Sequence, residues 1–361
     1  MRRLACLLLL TPLACGSTAT PADDAGVDAS ETDAGASPTD GGSGGDARAD
    51  ATGPTFVGKC GDPIPQGAKA PPPLPTYAGA CPQLAAPPAM TTITSSGAQR
   101  SFLFYQPQMQ KQGERYPLVF LWHWLGGSPD GMANKLEAQK IADAYRVVLA
   151  IPAPKGDVFF KWPFESVQAQ ARIDEEMRFF DDMLACIAKA LPIEESCVSS
   201  LGVSAGALFT DQLAQARGDR LASFVSLSGG TGDPARPWAG APRAIPGVVL
   251  WGGSSDVFPT QFPVINFQNA SKALEDGLVK GGSFFVECVH NCGHAVPPFE
   301  PPANAPVLSD FVWRFILDHP YWTSPGASPY LAAQALPAAY PAWCGLGKGG
   351  ATPRPANASC P

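Results

Sequence analysis

Charge is scarce in this chain, since only 16% of its 361 residues are Asp, Glu, Lys or Arg. The acid excess is also badly placed for recognition. Eight acids (Asp23, Asp24, Asp28, Glu31, Asp33, Asp40, Asp46 and Asp50) lie between residues 17 and 55 against Arg48 alone. With that stretch and Arg2 and Arg3 set aside, 24 acids face 22 bases, so the remainder is nearly neutral. A neutral body without a basic stripe excludes a nucleic-acid binder. Large apolar residues are almost missing from the same stretch, which therefore cannot bury enough surface to offset its chain entropy. No internal repeat is present. Histidine is rare, with only His123, His290, His294 and His319, and this limits the choice of any imidazole base.

Residues 1–14 carry Arg2 and Arg3, the apolar Leu7–Leu10 and then small residues. That is a secretory leader, too short for a permanent membrane span. Leu13-Ala14-Cys15-Gly16 resembles a bacterial lipoprotein processing site, which would make Cys15 the lipidated residue. The alternative is a plain leader cleaved nearby. The chain is accordingly expected outside the cytoplasm, either secreted or held at the outer membrane or cell surface by a lipid. Residues 15–55 would be the disordered tether. Residues 56–87 hold most of the nine prolines between Pro63 and Pro88, which predicts an extended strap. A catalytic body is expected over 88–320. The Pro-, Ala- and Gly-rich 321–361 is expected to wrap the surface as an extended tail.

Apart from Cys6 and Cys15, eight cysteines remain, an even number in an exported chain. Proximity in sequence suggests Cys60 with Cys81, Cys186 with Cys197, Cys288 with Cys292, and Cys344 with Cys360. The alternating Cys288, His290, Cys292 and His294 raise a metal reading, but this spacing lacks the usual zinc turns and the setting favours oxidised pairs. No metal is therefore expected.

Continuous apolar runs alternate with amphipathic stretches through the body. Thr91–Thr94 and Arg100–Tyr105 read as a hairpin. Tyr116–Trp122, Val147–Ile151, Phe224–Leu227, Val248–Trp251 and Phe284–Val286 read as buried strands. Met132–Tyr145, Arg172–Leu191, Asn266–Val279 and Val307–Asp318 read as helices. This order predicts an α/β architecture, with a mostly parallel sheet covered by helices on both faces.

Within it, Gly202-Val203-Ser204-Ala205-Gly206 joins the apolar Cys197–Leu201 to the helix-like Ala207–Leu213. That is the setting of a G-x-S-x-G nucleophile elbow, where small flanks let the chain turn sharply and lift the serine Oγ clear. A serine hydroxyl needs a neutral imidazole in reach, and an acid to orient it. His294 lies in a loop just after the last predicted strand, and Asp256 follows Val248–Trp251 through a Gly-Gly-Ser-Ser turn. Both positions are at carboxyl ends of strands, where an open α/β sheet places its site. Asp233 is the rival acid. His319 ends a helix, where a cation compensates the dipole.

An oxyanion needs two preorganised N–H donors. Ala205 supplies one, and the turn after Trp122 the other, from Leu125 or else Trp124. His123 is read as bracing this turn and, with Trp162 from the cluster Phe159, Phe160, Trp162 and Phe164, as a substrate-side residue. The connection Gly230–Pro246 is too short for a large lid, so an open cleft is expected.

Four segments (123–132, Gly202–Gly206, Gly253–Asp256 and Gly293–Pro297) resemble the secreted feruloyl esterase and polyhydroxybutyrate depolymerase group of α/β-hydrolases. The resemblance implies an α/β-hydrolase fold and carboxylic ester hydrolysis without a cofactor. Its implied substrates are feruloyl or acetyl polysaccharide esters or polyhydroxyalkanoate-type polyesters. The expected partners are an ester substrate, possibly polymeric, and a membrane only through the N-terminal lipid. Trp124 replaces a glycine usual in that group. Two other readings follow: a non-catalytic surface-binding lipoprotein on this fold, or a serine peptidase of the same fold.

Overall fold

In the computed structural model the described residues are 54–86, 89–261 and 264–361. The expected leader, Cys15 and nearly all of the expected tether lie outside them. Residues 54–86 carry no regular element, as their prolines require. The elements then run β1 (Thr91–Ser95), β2 (Ala98–Tyr105), β3 (Tyr116–Trp122), α1 (Pro129–Leu136), α2 (Ala138–Tyr145) and β4 (Val148–Pro152). Next come α3 (Gln170–Ala190), β5 (Ile193–Val203), α4 (Ala205–Arg217), β6 (Ser223–Leu227) and β7 (Gly247–Trp251). The chain finishes with β8 (Val257–Phe258), β9 (Ile265–Asn266), α5 (Phe267–Lys280), β10 (Phe285–Val289), α6 (Asp310–Leu317), α7 (Pro329–Ala333) and β11 (Cys344–Leu346).

Nine strands form one sheet in the order β1-β2-β4-β3-β5-β6-β7-β10-β11. From β4 to β10 neighbouring strands are parallel, while β1, β2 and β11 pair antiparallel at the two sides. Every residue of β3 is buried, and its side chains sort by parity. Leu118, Phe120 and Trp122 join one core with Phe180, Leu208 and Phe209 of α3 and α4. Val119 and Leu121 join the other, with Ile141 and Trp313 of α2 and α6. A strand that is apolar at every position is thus explained by a helical layer on each face.

Three expectations are corrected. The single helix over Met132–Tyr145 is two, because Glu137 adopts a left-handed conformation (φ 59°, ψ 51°) and its N–H bonds back to Ala133 and Asn134, closing α1 before α2 starts. The tail 321–361 is not merely wrapped: it contributes α7 and the edge strand β11, whose Cys344 lies in register with Cys288 of β10. The eight cysteines are all bridged, but none in the expected pairs. The bonds are Cys60–Cys197, Cys81–Cys186, Cys288–Cys344 and Cys292–Cys360.

The strap and the strand explain why neighbours in sequence do not bond. Cys288 has Cys344 opposite it in register on β11, and the strap carries Cys60 to β5 and Cys81 to α3. The actual bonds staple the strap to β5 and α3, and the tail to β10 and the loop after it. Such bonds persist in oxidising compartments. No helix among the described residues is long and apolar enough to cross a membrane.

Candidate active site

Residue Ser204 sits between β5 and α4 with φ 55° and ψ −119°, a backbone conformation L-residues rarely adopt. Its N–H donates to Leu227 O of β6 at 2.8 Å, which fixes the turn to the neighbouring strand. The flanking glycines are sterically required. A Cβ on Gly202 would stand 2.1 Å from Gly206 O, and one on Gly206 would stand 2.0 Å from Trp122 O. The first turn of α4 is thereby wedged between β5 and the end of β3.

The hydroxyl thus presented meets His294, Ser204 Oγ lying 2.9 Å from His294 Nε2. On the other side of the ring, Nδ1 is 2.7 Å from Asp256 Oδ1. An ionised carboxylate only accepts, so Nδ1 carries the proton and Nε2 presents a lone pair to the serine hydroxyl. Asp256 is fully buried, and its second oxygen accepts from Gly252 N at 2.7 Å and Ser228 Oγ at 2.8 Å. The imidazole stacks on Phe267, with ring centroids 4.3 Å apart and planes 8° from parallel. The three side chains expected to converge therefore do so in one hydrogen-bonded line. The rival Asp233 is exposed in the loop after β6.

The turn after β3 brings Trp124 and Leu125 to the same cleft as Ser204 and Ala205. Trp124 O accepts from Gly127 N and from His123 Nδ1, both at 2.9 Å. That pins the peptide unit joining Trp124 to Leu125, and in a trans peptide the Leu125 N–H points the opposite way from the pinned carbonyl. The Ala205 N–H occupies the first position of α4, where no intrahelical acceptor exists.

The cleft has a volume of about 690 Å³. Its apolar walls come from separate segments, Met132 and Leu136 of α1, Phe160, Phe258 of β8, Phe267 of α5 and Phe299. Between β6 and β7 there is no helix, as the shortness of that connection implies.

Two substrate-side expectations are corrected. Trp162 and His123 are both fully buried and neither lines the cleft. Trp162 Nε1 donates to His123 O at 2.7 Å, so this pair sits behind the turn and supports it. Burial lowers the His123 pKa below its usual range, which suits a neutral brace. Phe160, from the same aromatic cluster, is the member that reaches the cleft.

The remaining histidines are also structural. Burial pushes His319 down to about 4, and it is held by Phe315 O and Ser328 Oγ, so it is not the helix-end cation expected. His290 is likewise pushed down to about 4 by burial. Cys288 and Cys292 are in disulfides, so neither offers a thiolate to a metal.

Sequence reasoning missed Phe267 and Ser228. The first begins a helix and resembles any core aromatic. The second had a signal: Ser228-Gly229-Gly230 leaves β6 as Ser204 leaves β5.

No family model matches the chain, and no curated protein does. Solved structures do match. The native structure of sOPH is similar to this chain with TM-score 0.57 at 16% identity, over 74% of this chain and 97% of that one. A pOPH variant in complex with pNPB gives 0.58 at 14%, over 74% and 96%. A ferulic acid esterase gives 0.45 at 14%, over 57% and 90%. The fold is the α/β-hydrolase fold, as the order of elements and the resemblance implied.

Proposed function

We propose that this chain is a serine carboxylic-ester hydrolase that works through an acyl-enzyme. The observation that carries the reading is the unbroken line from Ser204 Oγ through His294 to Asp256 Oδ1. A binding protein has no need of all three groups in hydrogen-bond reach. Ser204 Oγ attacks the ester carbonyl while His294 Nε2 takes its proton, and the imidazolium gains from the buried Asp256 carboxylate. The tetrahedral oxyanion is stabilised by the N–H groups of Ala205 and Leu125, with Trp124 N–H the other candidate in that turn. His294 returns the proton to the leaving alcohol. Water then repeats the sequence on the acyl-enzyme and frees Ser204.

The apolar walls favour an apolar acyl group, because a polar one would lose its hydration there without gaining partners. We infer feruloyl-type aromatic esters or polyhydroxyalkanoate-type polyesters ahead of acetylated polysaccharide. The protein would act outside the cytoplasm, secreted or tethered at the cell surface through a lipid on Cys15. The test is a panel of methyl ferulate, polyhydroxybutyrate film and acetylated xylan, with Ser204→Ala as control. Turnover of the first or second, lost in Ser204→Ala, is the expected result. Turnover surviving in Ser204→Ala refutes the mechanism. Preference for acetylated xylan refutes the substrate reading.

A further inference from the structure

The sheet makes the same turn twice. Ser204 leaves β5 with φ 55° and donates its N–H to Leu227 O at 2.8 Å. One strand over, Ser228 leaves β6 with φ 51° and donates its N–H to Leu250 O at 2.7 Å. Both serines border the cleft. A positive φ costs a side-chain-bearing residue energy that glycine would not lose. At Ser204 that strain presents the nucleophile. At Ser228 it aims Oγ at Asp256 Oδ2, at 2.8 Å.

The two oxygens of Asp256 are thereby divided. Oδ1 serves His294, while Oδ2 is held by Ser228 Oγ and Gly252 N. A carboxylate gripped at Oδ2 by one donor alone is freer to rotate about its last side-chain bond and lose its alignment with Nδ1. The loop behind Ser228 is itself fastened. Asp211 of α4 accepts from Gly230 N at 2.6 Å and from Ser226 Oγ at 2.9 Å. A Cβ on Gly229 would come within 2.7 Å of Ala207 Cβ, so the loop lies directly against the first turn of α4. The connections close into a ring: from Ser204 along its own helix to Asp211, across to Gly230 and Ser228, then through Asp256 and His294 back to Ser204.

We infer that Ser228 is a positioning residue for the Asp256 carboxylate, with Asp211 holding its loop to the helix that carries the nucleophile. The inference rests on the proposed esterase reading for its kinetic consequence, though not for its geometry.

Ser228→Gly is the discriminating variant, because glycine removes the hydroxyl and relieves the positive φ together. Its expected phenotype is unchanged or higher Tm with kcat on p-nitrophenyl butyrate about tenfold lower and KM within about twofold, the cost of one hydrogen bond to a charged group. In an Asp256→Ala background the same change should alter kcat by less than about twofold, since Ser228 acts through the carboxylate. A second readout needs no substrate: the low-field proton resonance of His294 Nδ1–H, which should shift or broaden in Ser228→Gly. Wild-type kcat in Ser228→Gly, or an equal loss in both backgrounds, overturns the inference. An altered resonance in a protein that hydrolyses no ester upholds the positioning role and sinks the esterase reading. An unaltered resonance there sinks both.

Discussion

Replacing Gly206 by alanine asks whether the elbow depends on close backbone packing. The new Cβ would lie 2.0 Å from Trp122 O and 2.4 Å from Trp122 C. Real Cβ contacts essentially never fall below 3.0 Å, so at least 1.0 Å of separation must be found. No flexible side chain can yield, because both atoms belong to the backbone of β3, which is hydrogen-bonded to β4 and β5. The first turn of α4 must therefore move, and it carries Ser204 and the Ala205 N–H. Overpacking of this kind costs about 3 kcal/mol. For a folded body this size that is a Tm lowered by about 4–5 °C.

The catalytic loss should exceed the stability loss, since a displacement near 1 Å costs about a hundredfold in rate. Differential scanning calorimetry and kcat/KM on p-nitrophenyl butyrate measure the two. Gly281→Ala is the control: its Cβ would meet nothing nearer than 3.3 Å and φ there is ordinary, so a change within about 1 kcal/mol is expected. Should Gly206→Ala keep kcat/KM within about threefold of wild type, the argument that this glycine sets the site's geometry is wrong.

Two further perturbations test other parts of the structure. Glu275 of α5 is fully buried with neither carboxylate oxygen hydrogen-bonded among the described residues, and burial, reinforced by Glu287, raises its pKa from 4.5 to about 8. The unfolded chain loses this proton first, so stability should fall as pH rises from about 4.5 to about 8 and then level off. Glu275→Gln should flatten that slope and gain about 1–3 kcal/mol near pH 7, read from urea midpoints across the range. Parallel curves for the two proteins would refute it. The second perturbation is Cys292→Ser with Cys360→Ser, which removes a bridge closing 68 residues of chain, a loss of up to about 4 kcal/mol. Cys292 stands two residues before His294, and Pro361 lines the cleft, so kcat should also fall several-fold. Wild-type kcat in a variant of lowered Tm would show that the bridge does not steady the base.

Much of the fold was readable because burial on both faces writes itself as unbroken apolar runs. Tyr116–Trp122 is β3 to the residue, and β4, β6 and β7 start one residue from their expected positions. The Ser204, Asp256 and His294 line was readable because its chemistry needs particular residue types at strand ends. What escaped detection depends on geometry that residue type does not encode. Nothing in the side chain of Glu137 announces a left-handed residue. β11 is three residues long, in a stretch whose composition reads as coil, and joins the sheet only because β10 offers a free edge. Trp162 and Phe160 are alike as aromatics in one loop, yet one supports the turn from behind and the other lines the cleft.

The pairing of the cysteines also bears on how the chain must be made. The first two bridges are nested and the last two interleaved, so only Cys81 bonds to the next cysteine along. An oxidant that pairs the thiols off two by two as the chain emerges links Cys60 to Cys81, Cys186 to Cys197, Cys288 to Cys292 and Cys344 to Cys360, four wrong bonds. Production of active protein should therefore hinge on an isomerase able to reshuffle them, and co-expressing one should raise yield more than a stronger oxidant would.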